Sequence, residues 1–368
     1  MLTLGLFVLG LVLLVLGADQ LVAGASRVAL RLGISSLVIG LTVVAFGTSA
    51  PELAVSLTGA LDDKADLALG NVVGSNIFNV LFILGLTALV APLTVQPQLI
   101  RFDVPLMIAA SGLCWLLALD GQIGRLDGIL LAAGIVAYTT ALIWPALRAQ
   151  KPAPPADAPT TPAAPTAPKL TDRLAVQVLQ ILAGLTMLVV GSRWLVNGAI
   201  AFAEALGVSQ LVISLTIVAA GTSLPELATS VLAAVRGERD IAVGNVVGSN
   251  IFNILCVLGL SAAIGPNGVA VAPAALAFDI PVMTLVAVLC LPLFITGKLI
   301  ARWEGAVFLA YYVAYTVYLV LAAASHPALG IYGWTMRWVA MPFTAFLVTI
   351  LLIRDVRRRD PLPSPRAR

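Results

Sequence analysis

The sequence predicts an all-α integral membrane protein that combines two inverted-topology five-helix repeats with one extra C-terminal helix. Hydrophobic residues fill 60% of the 368 positions and charged residues only 11%, whereas a soluble chain needs about 25% charged residues to cover its surface. Apolar runs of about 20 residues, the length that spans a bilayer as a helix, recur along the chain. A polar motif in the first half is also written again in the second half. These three observations predict eleven transmembrane helices.

The apolar segments divide around one break. In the first half they cover about 2–24, 36–60, 67–91, 103–119 and 127–147; in the second, about 175–203, 209–234, 241–264, 279–297 and 303–324. An eleventh covers about 331–353. Between the halves, 151–169 has proline at 7 of its 19 positions, which predicts an extended linker. The predicted organisation is a first repeat at 1–148, a Pro/Ala-rich cytoplasmic linker at 149–172, a second repeat at 173–325, an extra helix at 326–353 and a basic cytoplasmic tail at 354–368.

The duplicated motif consists of GTSAPELA at 47–54 and GNVVGSNIFN at 70–79. Both parts return 174 positions later, as GTSLPELA and GNVVGSNIFN, and 24 of the 39 residues from 47 to 85 are identical in the second copy. That density without gaps indicates duplication. Because each half has five helices, an odd number, the second half must enter the membrane from the opposite side. Such inverted repeats are typical of secondary transporters.

The positive charges predict the orientation. With the N-terminus outside, 17 of the 21 Lys and Arg residues lie in inner loops and 4 in outer loops, as the positive-inside rule requires. We therefore expect a multi-pass inner-membrane protein with a periplasmic or extracellular N-terminus and a cytoplasmic C-terminus. The basic tail is interpreted as a topology anchor.

Each second helix carries a polar stripe with a break beside it. Residues four apart share a helix face, so Thr48, Glu52 and Ser56 lie together. Pro51 has no N–H, which frees the carbonyl of Gly47 to bind something else. The second half repeats this arrangement with Thr222, Glu226, Ser230, Pro225 and Gly221. A glutamate at mid-membrane costs about 2.5–3.5 kcal/mol even on generous scales, and a pair of them predicts ion binding.

Each third helix adds an amide and hydroxyl stripe. The stripes are Asn71, Ser75 and Asn79 in the first half, and Asn245, Ser249 and Asn253 in the second. Glycines four apart, Gly70 with Gly74 and Gly244 with Gly248, are spaced for close helix–helix approach, which would bring the stripes together.

The converging groups are oxygen donors and neutral amides, without imidazole or thiolate. Such a set suits hard cations such as Ca²⁺, Na⁺ or Mg²⁺ and speaks against Zn or Cu. Two carboxylates neutralise one Ca²⁺, two Na⁺ or two protons. Without cations, two anions would remain in low dielectric, so we expect the pocket to exchange its ionic occupant before it reorients.

Other polar residues have simpler interpretations. The three cysteines are interpreted as small core residues and His326 as a loop residue. Asp66, Asp103, Asp240 and Asp279 lie near helix starts and are predicted to be N-caps. Asp19 aligns with Arg193 in the second half, and both are interpreted as interfacial. The net charge of +3 is too small to suggest nucleic acid. The expected partners are the lipid bilayer and inorganic cations, and no obligate protein partner is evident.

The two GTSxPEL…GNVVGSNIFN blocks resemble the α-repeats of the calcium/cation antiporter superfamily, in its bacterial sodium/calcium exchanger-like branch. The resemblance extends over the first ten helices. It implies a ten-helix core whose helices two, three, seven and eight surround the ion site, with helices one and six as a sliding pair. No cofactor is implied, since Ca²⁺ and Na⁺ are the transported ions.

The resemblance also implies roles for single residues. Glu52 and Glu226 match the principal Ca²⁺ and Na⁺ ligands. The remaining implied site residues are the hydroxyls of Thr48, Thr222, Ser75 and Ser249, the flanking Ser49 and Ser223, backbone carbonyls near Ala45 and Ala219, and the amides of Asn79 and Asn253.

One position departs from the family pattern. Sodium/calcium exchangers carry an aspartate where this chain has Asn253, so this pocket has two negative charges instead of three. The expected function is Ca²⁺ export in exchange for Na⁺ by alternating access. Ca²⁺/H⁺ exchange and K⁺-dependent exchange are the alternatives within the class, and a cation channel is the alternative outside it. An enzyme is not expected, because no Ser–His, Ser–Lys or paired-Asp catalytic set lies at membrane depth.

Overall fold

A computed structural model describes residues 2–62, 65–148, 174–207, 213, 217, 219–346 and 349–350. The first half contains helices α1 (Leu2–Leu32), α2 (Ser36–Thr48), α3 (Ala50–Leu61), α4 (65–90), α5 (Leu99–Leu117) and α6 (Arg125–Arg148), with strands β1 (Leu93–Thr94) and β2 (Gln122–Ile123). The second half contains α7 (Leu174–Ala205), α8 (Ala219–Gly221), α9 (Leu224–Val235), α10 (Arg239–Ile264), α11 (Ala275–Ile295), α12 (Arg302–Ala323) and α13 (329–346), with strands β3 (Val269–Ala270) and β4 (Leu299–Ile300).

The helices confirm an all-helical membrane protein. Among the described residues, eight helices are long and apolar enough to cross a membrane, and α2 with α3, bent by 45°, would form a ninth span. The count of eleven stays a prediction, because the span expected at 209–234 begins largely outside the described residues and α13 is not one of these spans. The predicted linker at 149–172 and tail at 354–368 also lie outside the described residues.

The longest helices, α1 and α7, pack against each other in antiparallel directions. A Cβ added to Gly10 would lie 2.8 Å from the carbonyl oxygen of Gly191, and one added to Gly17 would lie 2.8 Å from that of Gly184. Backbones can approach so closely only where side chains are absent. Glycines therefore fix the contact between these two helices.

Similar glycine contacts join the two halves elsewhere. A Cβ on Gly305 of α12 would meet the carbonyl oxygen of Gly85 in α4, and one on Gly128 of α6 would lie 2.6 Å from that of Gly259 in α10. The outer helices α6 and α12 are thus each seated on the third helix of the opposite half.

Two short strand pairs also connect the halves. β1 pairs with β4, Leu93 opposite Ile300, and β2 pairs with β3, Gln122 opposite Ala270; both pairs are antiparallel. In each pair, a strand before the fourth helix of one half meets a strand after the fourth helix of the other half.

Three predicted N-caps are wrong. Asp103 and Asp279 are the last residues of π-helical turns and make no side-chain cap. They instead accept hydrogen bonds from Tyr138 and Tyr315 of the next helix, at 3.1 and 2.8 Å. The carboxylate of Asp240 accepts from Gln96 at 3.1 Å. All three aspartates bond to a neighbouring segment because the helices start earlier than expected. The side chain of Asp66 lies outside the described part.

Candidate functional site

The site is built on two helix breaks. Between α2 and α3, Ser49 leaves the helical conformation (φ −80°, ψ 5°), and Pro51 lies in the first turn of α3. Between α8 and α9, Ser223 does the same (φ −91°, ψ 10°). Proline is tolerated in a first turn because the N–H it lacks would have no helical partner there. The break predicted from the proline is confirmed in both halves.

Both glutamates lie in the first turn of the helix that follows the break and are fully buried. The N-terminal end of a helix carries partial positive charge, which favours a carboxylate at this place. Each carboxyl also lies within hydrogen-bond distance of the serine that stands three residues before the other glutamate. The two halves therefore bring one buried carboxyl each to a common centre.

Each carboxyl is bonded by the serine at the break of the opposite half. The Ser223 hydroxyl donates to Glu52 Oε1 at 2.8 Å, and the Ser49 hydroxyl donates to Glu226 Oε1 at 3.2 Å. Ser75 lies 3.5 Å from Glu52 Oε1 and 3.1 Å from the Ser223 hydroxyl. Hydrogen bonds to charged groups contribute about 1.5–3 kcal/mol each. These serine–glutamate hydrogen bonds thus connect the two halves at the glutamates.

The asparagine stripes hold the broken helices. Asn71 Nδ2 donates to the Glu52 carbonyl at 3.3 Å and to the Ser56 hydroxyl at 3.0 Å. Asn245 repeats both bonds, to the Glu226 carbonyl at 3.4 Å and to Ser230 at 2.9 Å. These amides satisfy backbone and hydroxyl groups next to the glutamates, and so they stabilise the helix breaks that position the two carboxyls.

The threonines connect those asparagines to the opposite half. Thr48 donates to Asn245 Oδ1 at 3.0 Å, and Thr222 lies 3.4 Å from Asn71 Oδ1. The carbonyl of Ala45 accepts from Thr48 at 3.4 Å and from the N–H of Ser49 at 3.0 Å. Ala219 begins α8, and its backbone alone is described.

Several buried polar atoms of the two glutamates and of the third-helix stripes have no hydrogen-bond partner among the described residues. They are Glu52 Oε2, Glu226 Oε2, the Ser249 hydroxyl, Asn253 Oδ1 and both side-chain polar atoms of Asn79. Asn79 and Asn253 each begin a π-helical turn, a feature frequent at functional sites. Buried polar groups without partners are costly. Since all but one of these atoms are oxygens that can accept, a hard cation is the ligand that would satisfy them.

The described residues contain no cluster of three or more His, Cys, Asp or Glu side chains. Two carboxylates therefore set the charge of this site. Hydroxyl, amide and carboxylate oxygens without thiolate or imidazole match the ligand preference of Ca²⁺ and Na⁺.

The prediction missed one polar pair next to the site. Asn76 Nδ2 donates to the carbonyl of Asn250 at 3.1 Å, and Asn253 Nδ2 donates to Asn76 Oδ1 at 3.1 Å. Asn76 and Asn250 occupy the same place in the two motif copies and are buried. They fall outside the four-residue stripe of Asn71, Ser75 and Asn79, but their position inside both copies of GSNIFN was a usable signal.

Comparisons with known proteins cover both halves of the chain. The family described as "Sodium/calcium exchanger protein" matches residues 2–144 and 176–321. Sodium/calcium exchanger MaX1 of Methanosarcina acetivorans is 35% identical over 342 residues, 85% of this chain and 97% of its own. Inner membrane protein YrbG of Escherichia coli K12 is 41% identical over 284 residues, 77% of this chain and 86% of its own. A solved structure of the sodium-calcium exchanger NCX_Mj soaked with Na⁺ and Ca²⁺ matches with a TM-score of 0.71 at 30% identity, over 85% of this chain and 97% of that chain.

Proposed function

This chain belongs to the sodium/calcium exchanger family, and from that premise we propose that it exports Ca²⁺ in exchange for Na⁺ by alternating access. The family consists of membrane proteins that exchange inorganic cations, so the coarse function is a cation antiporter. The ions and the direction are the proposal. The observation that carries it is the pair of fully buried glutamates, one from each half, each with an oxygen that has no described partner.

The proposed cation ligands start from these two carboxyls. Glu52 and Glu226 would neutralise one Ca²⁺, and the same two charges would be neutralised by two Na⁺. The other proposed ligands are the hydroxyls of Thr48, Thr222, Ser49, Ser223, Ser75 and Ser249, the amide oxygens of Asn79 and Asn253, and the carbonyls of Ala45 and Ala219. Such a pocket is costly without cations, so exchange of one ion for another is favoured over return of the empty site.

Alternating access is supported by the relation between the halves. We propose that the halves form inverted repeats, 1–148 and 173–325, with an eleventh helix at 326–353. The equivalent helices α1 and α7 run antiparallel. The pairing of β1 with β4 fits the same arrangement. β1 precedes the fourth helix of the first half and β4 follows the fourth helix of the second half, so the two fourth helices cross the membrane in opposite directions. The proposed orientation, with an outer N-terminus, a cytoplasmic linker at 149–172 and a cytoplasmic tail at 354–368, follows the positive charges.

Ca²⁺/H⁺ exchange is the second candidate. It is favoured by Asn253, because two carboxylates can carry two protons, whereas a third carboxylate would favour a third Na⁺. A K⁺-dependent exchanger and a cation channel are weaker candidates. A channel needs a continuous polar pore. The paired helix breaks instead fit a transporter, in which the ion site lies between two repeats.

The test is Ca²⁺ uptake by purified protein in liposomes under separately imposed Na⁺, H⁺ and K⁺ gradients. We expect uptake to follow an outward Na⁺ gradient and to stay near background with H⁺ or K⁺ alone. Uptake driven by H⁺ would replace the proposal with Ca²⁺/H⁺ exchange. A conductive Ca²⁺ flux that needs no counter-ion gradient would indicate a channel.

A further inference from the structure

We propose that Asn76 is a positioning residue that turns the amide oxygen of Asn253 toward the transported cation. The carbonyl of Asn250 can only accept a hydrogen bond. Its partner at 3.1 Å must therefore be the NH₂ group of Asn76. This fixes the Asn76 amide with its oxygen on the opposite side.

The fixed oxygen of Asn76 then decides how Asn253 is oriented. Asn76 Oδ1 lies 3.1 Å from Asn253 Nδ2, so Asn253 must present its NH₂ group there. Its own Oδ1 is left buried without a described partner. One backbone carbonyl thus determines, through Asn76, that Asn253 offers an acceptor and not a donor to the pocket. A donor facing a cation would repel it.

The corresponding residues of the other half are arranged differently. Asn250 Nδ2 donates to the carbonyl of Val246 in its own helix at 2.9 Å. Both side-chain polar atoms of Asn79 lack a described partner. In this conformation only one of the two equivalent asparagines, Asn253, is held in place. The inference rests on the proposed function, because it assigns the orientation of one proposed ligand.

The test measures the KM and Vmax of Ca²⁺ uptake in liposomes for wild type, Asn76→Ala and a control, Ser111→Ala. Ser111 lines the same small cavity as Asn76, but its hydroxyl donates to the carbonyl of Met107 in its own helix. We expect Asn76→Ala to raise the KM about fivefold, the effect of one hydrogen bond, with Ser111→Ala close to wild type. Equal KM values for the two variants would overturn the inference.

A double variant separates positioning from a general packing role. Aspartate has two equivalent oxygens, so Asn253→Asp removes the need for orientation and places a carboxylate against Asn76 Oδ1. In the Asn253→Asp background, Asn76→Ala should therefore leave the KM unchanged or lower it. A loss as large as in the wild-type background would contradict the inference. If Asn76→Ala does not fold, Asn76→Ser removes the same amide and is judged by the same criterion.

The outcomes also separate this inference from the proposed function. Wild-type protein that transports Ca²⁺ while Asn76→Ala behaves like Ser111→Ala refutes the role of Asn76 alone. Wild-type protein that neither binds nor transports Ca²⁺ or Na⁺ refutes both.

An ion pair joins α1 to the turn that follows α9. Arg236 pairs with Asp19, and its guanidinium also lies 3.5 Å from the Asp19 carbonyl. Beside it, the Ser26 hydroxyl donates to Glu238 at 2.7 Å. These contacts hold α1 against the loop between α9 and α10.

The duplication places the same pair in the other half with its charges exchanged. The 174-residue offset maps Asp19 onto Arg193, and it maps Arg236 back onto Asp62. The attraction is therefore preserved although both residues have changed sign. Among the described residues, Asp19 with Arg236 is the one ion pair, and Asp62 and Arg193 do not lie within ion-pair distance of each other.

Resting on the proposed alternating access, we propose that these two ion pairs alternate during transport. In an inverted repeat, exchanging the conformations of the halves gives the opposite-facing state. The pair between Asp62 and Arg193 should then form when the pair between Asp19 and Arg236 breaks. Each pair would favour one position of α1 and α7 against the rest of the protein.

Charge reversal tests this alternation in the liposome assay. Arg193→Asp places like charges together in the second state, and we expect exchange to slow up to about fivefold, the range for exposed pairs. Asp62→Arg alone should slow exchange to a similar extent, because it also places like charges together, and combining it with Arg193→Asp should restore the rate. Failure of the double variant to recover, or a normal rate in Asp62→Arg alone, would overturn the inference.

Discussion

The two copies of the duplicated motif have nearly the same residues but different surroundings. In the second copy, every residue of α10 from Ile241 to Phe252 is buried. In the first copy, Gly70 is exposed and Asn71 and Gly74 are half-buried. The difference therefore lies in the conformation and not in the chemistry of the motif. Equal sequences in unequal environments are what a transporter needs if its halves are to exchange roles.

The glycines of α10 show how closely this helix packs against α2. A Cβ on Gly248 would lie 2.7 Å from the carbonyl oxygen of Leu41 in α2. The equivalents of Leu41 and Ala45 in the other half are Leu215 and Ala219, whose side chains lie outside the described part. The close approach predicted from the glycine spacing is thus confirmed in the second copy and stays a prediction in the first.

The largest effect should come from the glutamates, where the two copies are expected to be equivalent. Glu52→Gln and Glu226→Gln should each reduce Ca²⁺ uptake at least about 100-fold, because an uncompensated buried charge costs about 3–5 kcal/mol. Uptake in liposomes measures this.

The matched control for both variants is Glu304→Gln. Glu304 is also buried, but its carboxylate accepts a hydrogen bond from the N–H of Ala301 at the start of its own helix. Glutamine preserves that acceptor, so transport should remain. Substantial uptake by either glutamine variant of the site would contradict the assignment of that glutamate as a cation ligand, and with it the expected equivalence of the two glutamates.

Much of the fold and site was predictable from the sequence, because the duplication could be read directly. Apolar length gave the membrane helices, Pro51 and Pro225 gave the breaks, and four-residue spacing gave the stripes with Glu52 and Glu226. These are local properties of helices, and they hold whatever surrounds them.

What could not be predicted depends on contacts between distant segments. The bonds from Ser49 and Ser223 to the opposite glutamates join residues more than 170 positions apart. Asp103 was expected to cap its own helix because a cap requires local geometry alone, and the competing Tyr138 is 35 positions away. The inequality of the two copies was equally unpredictable, because a duplicated sequence contains no information about which half is packed.

A smaller effect is expected from alanine at the packed glycine of the second copy. Gly248→Ala should lower the stability by about 1–3 kcal/mol, the usual effect of overpacking, because the new methyl group meets backbone atoms of α2. Gly134→Ala should lower it much less, because the nearest described atom to its Cβ is Leu255 Cδ2, at an ordinary contact distance of 3.4 Å. Thermal unfolding of both variants in the same detergent makes the comparison, and equal losses would show that Gly248 is not needed for close packing of α10 against α2.

The smallest effect should come from a third carboxylate, introduced at either of the two equivalent asparagines. Asn79→Asp and Asn253→Asp should each strengthen the Na⁺ dependence of Ca²⁺ uptake, because added negative charge attracts Na⁺. Asn79→Asp should do so more strongly, since Asn76 Oδ1 faces position 253 and repels a carboxylate there, whereas Asn79 has no described partner.

The Na⁺ concentration that gives half-maximal exchange measures both variants, with a shift of a few-fold expected for Asn79→Asp. An unchanged Na⁺ requirement in both would mean that charge count does not set the coupling. An equal shift in both would mean that the orientation seen at Asn253 belongs to one conformation and averages out over the transport cycle.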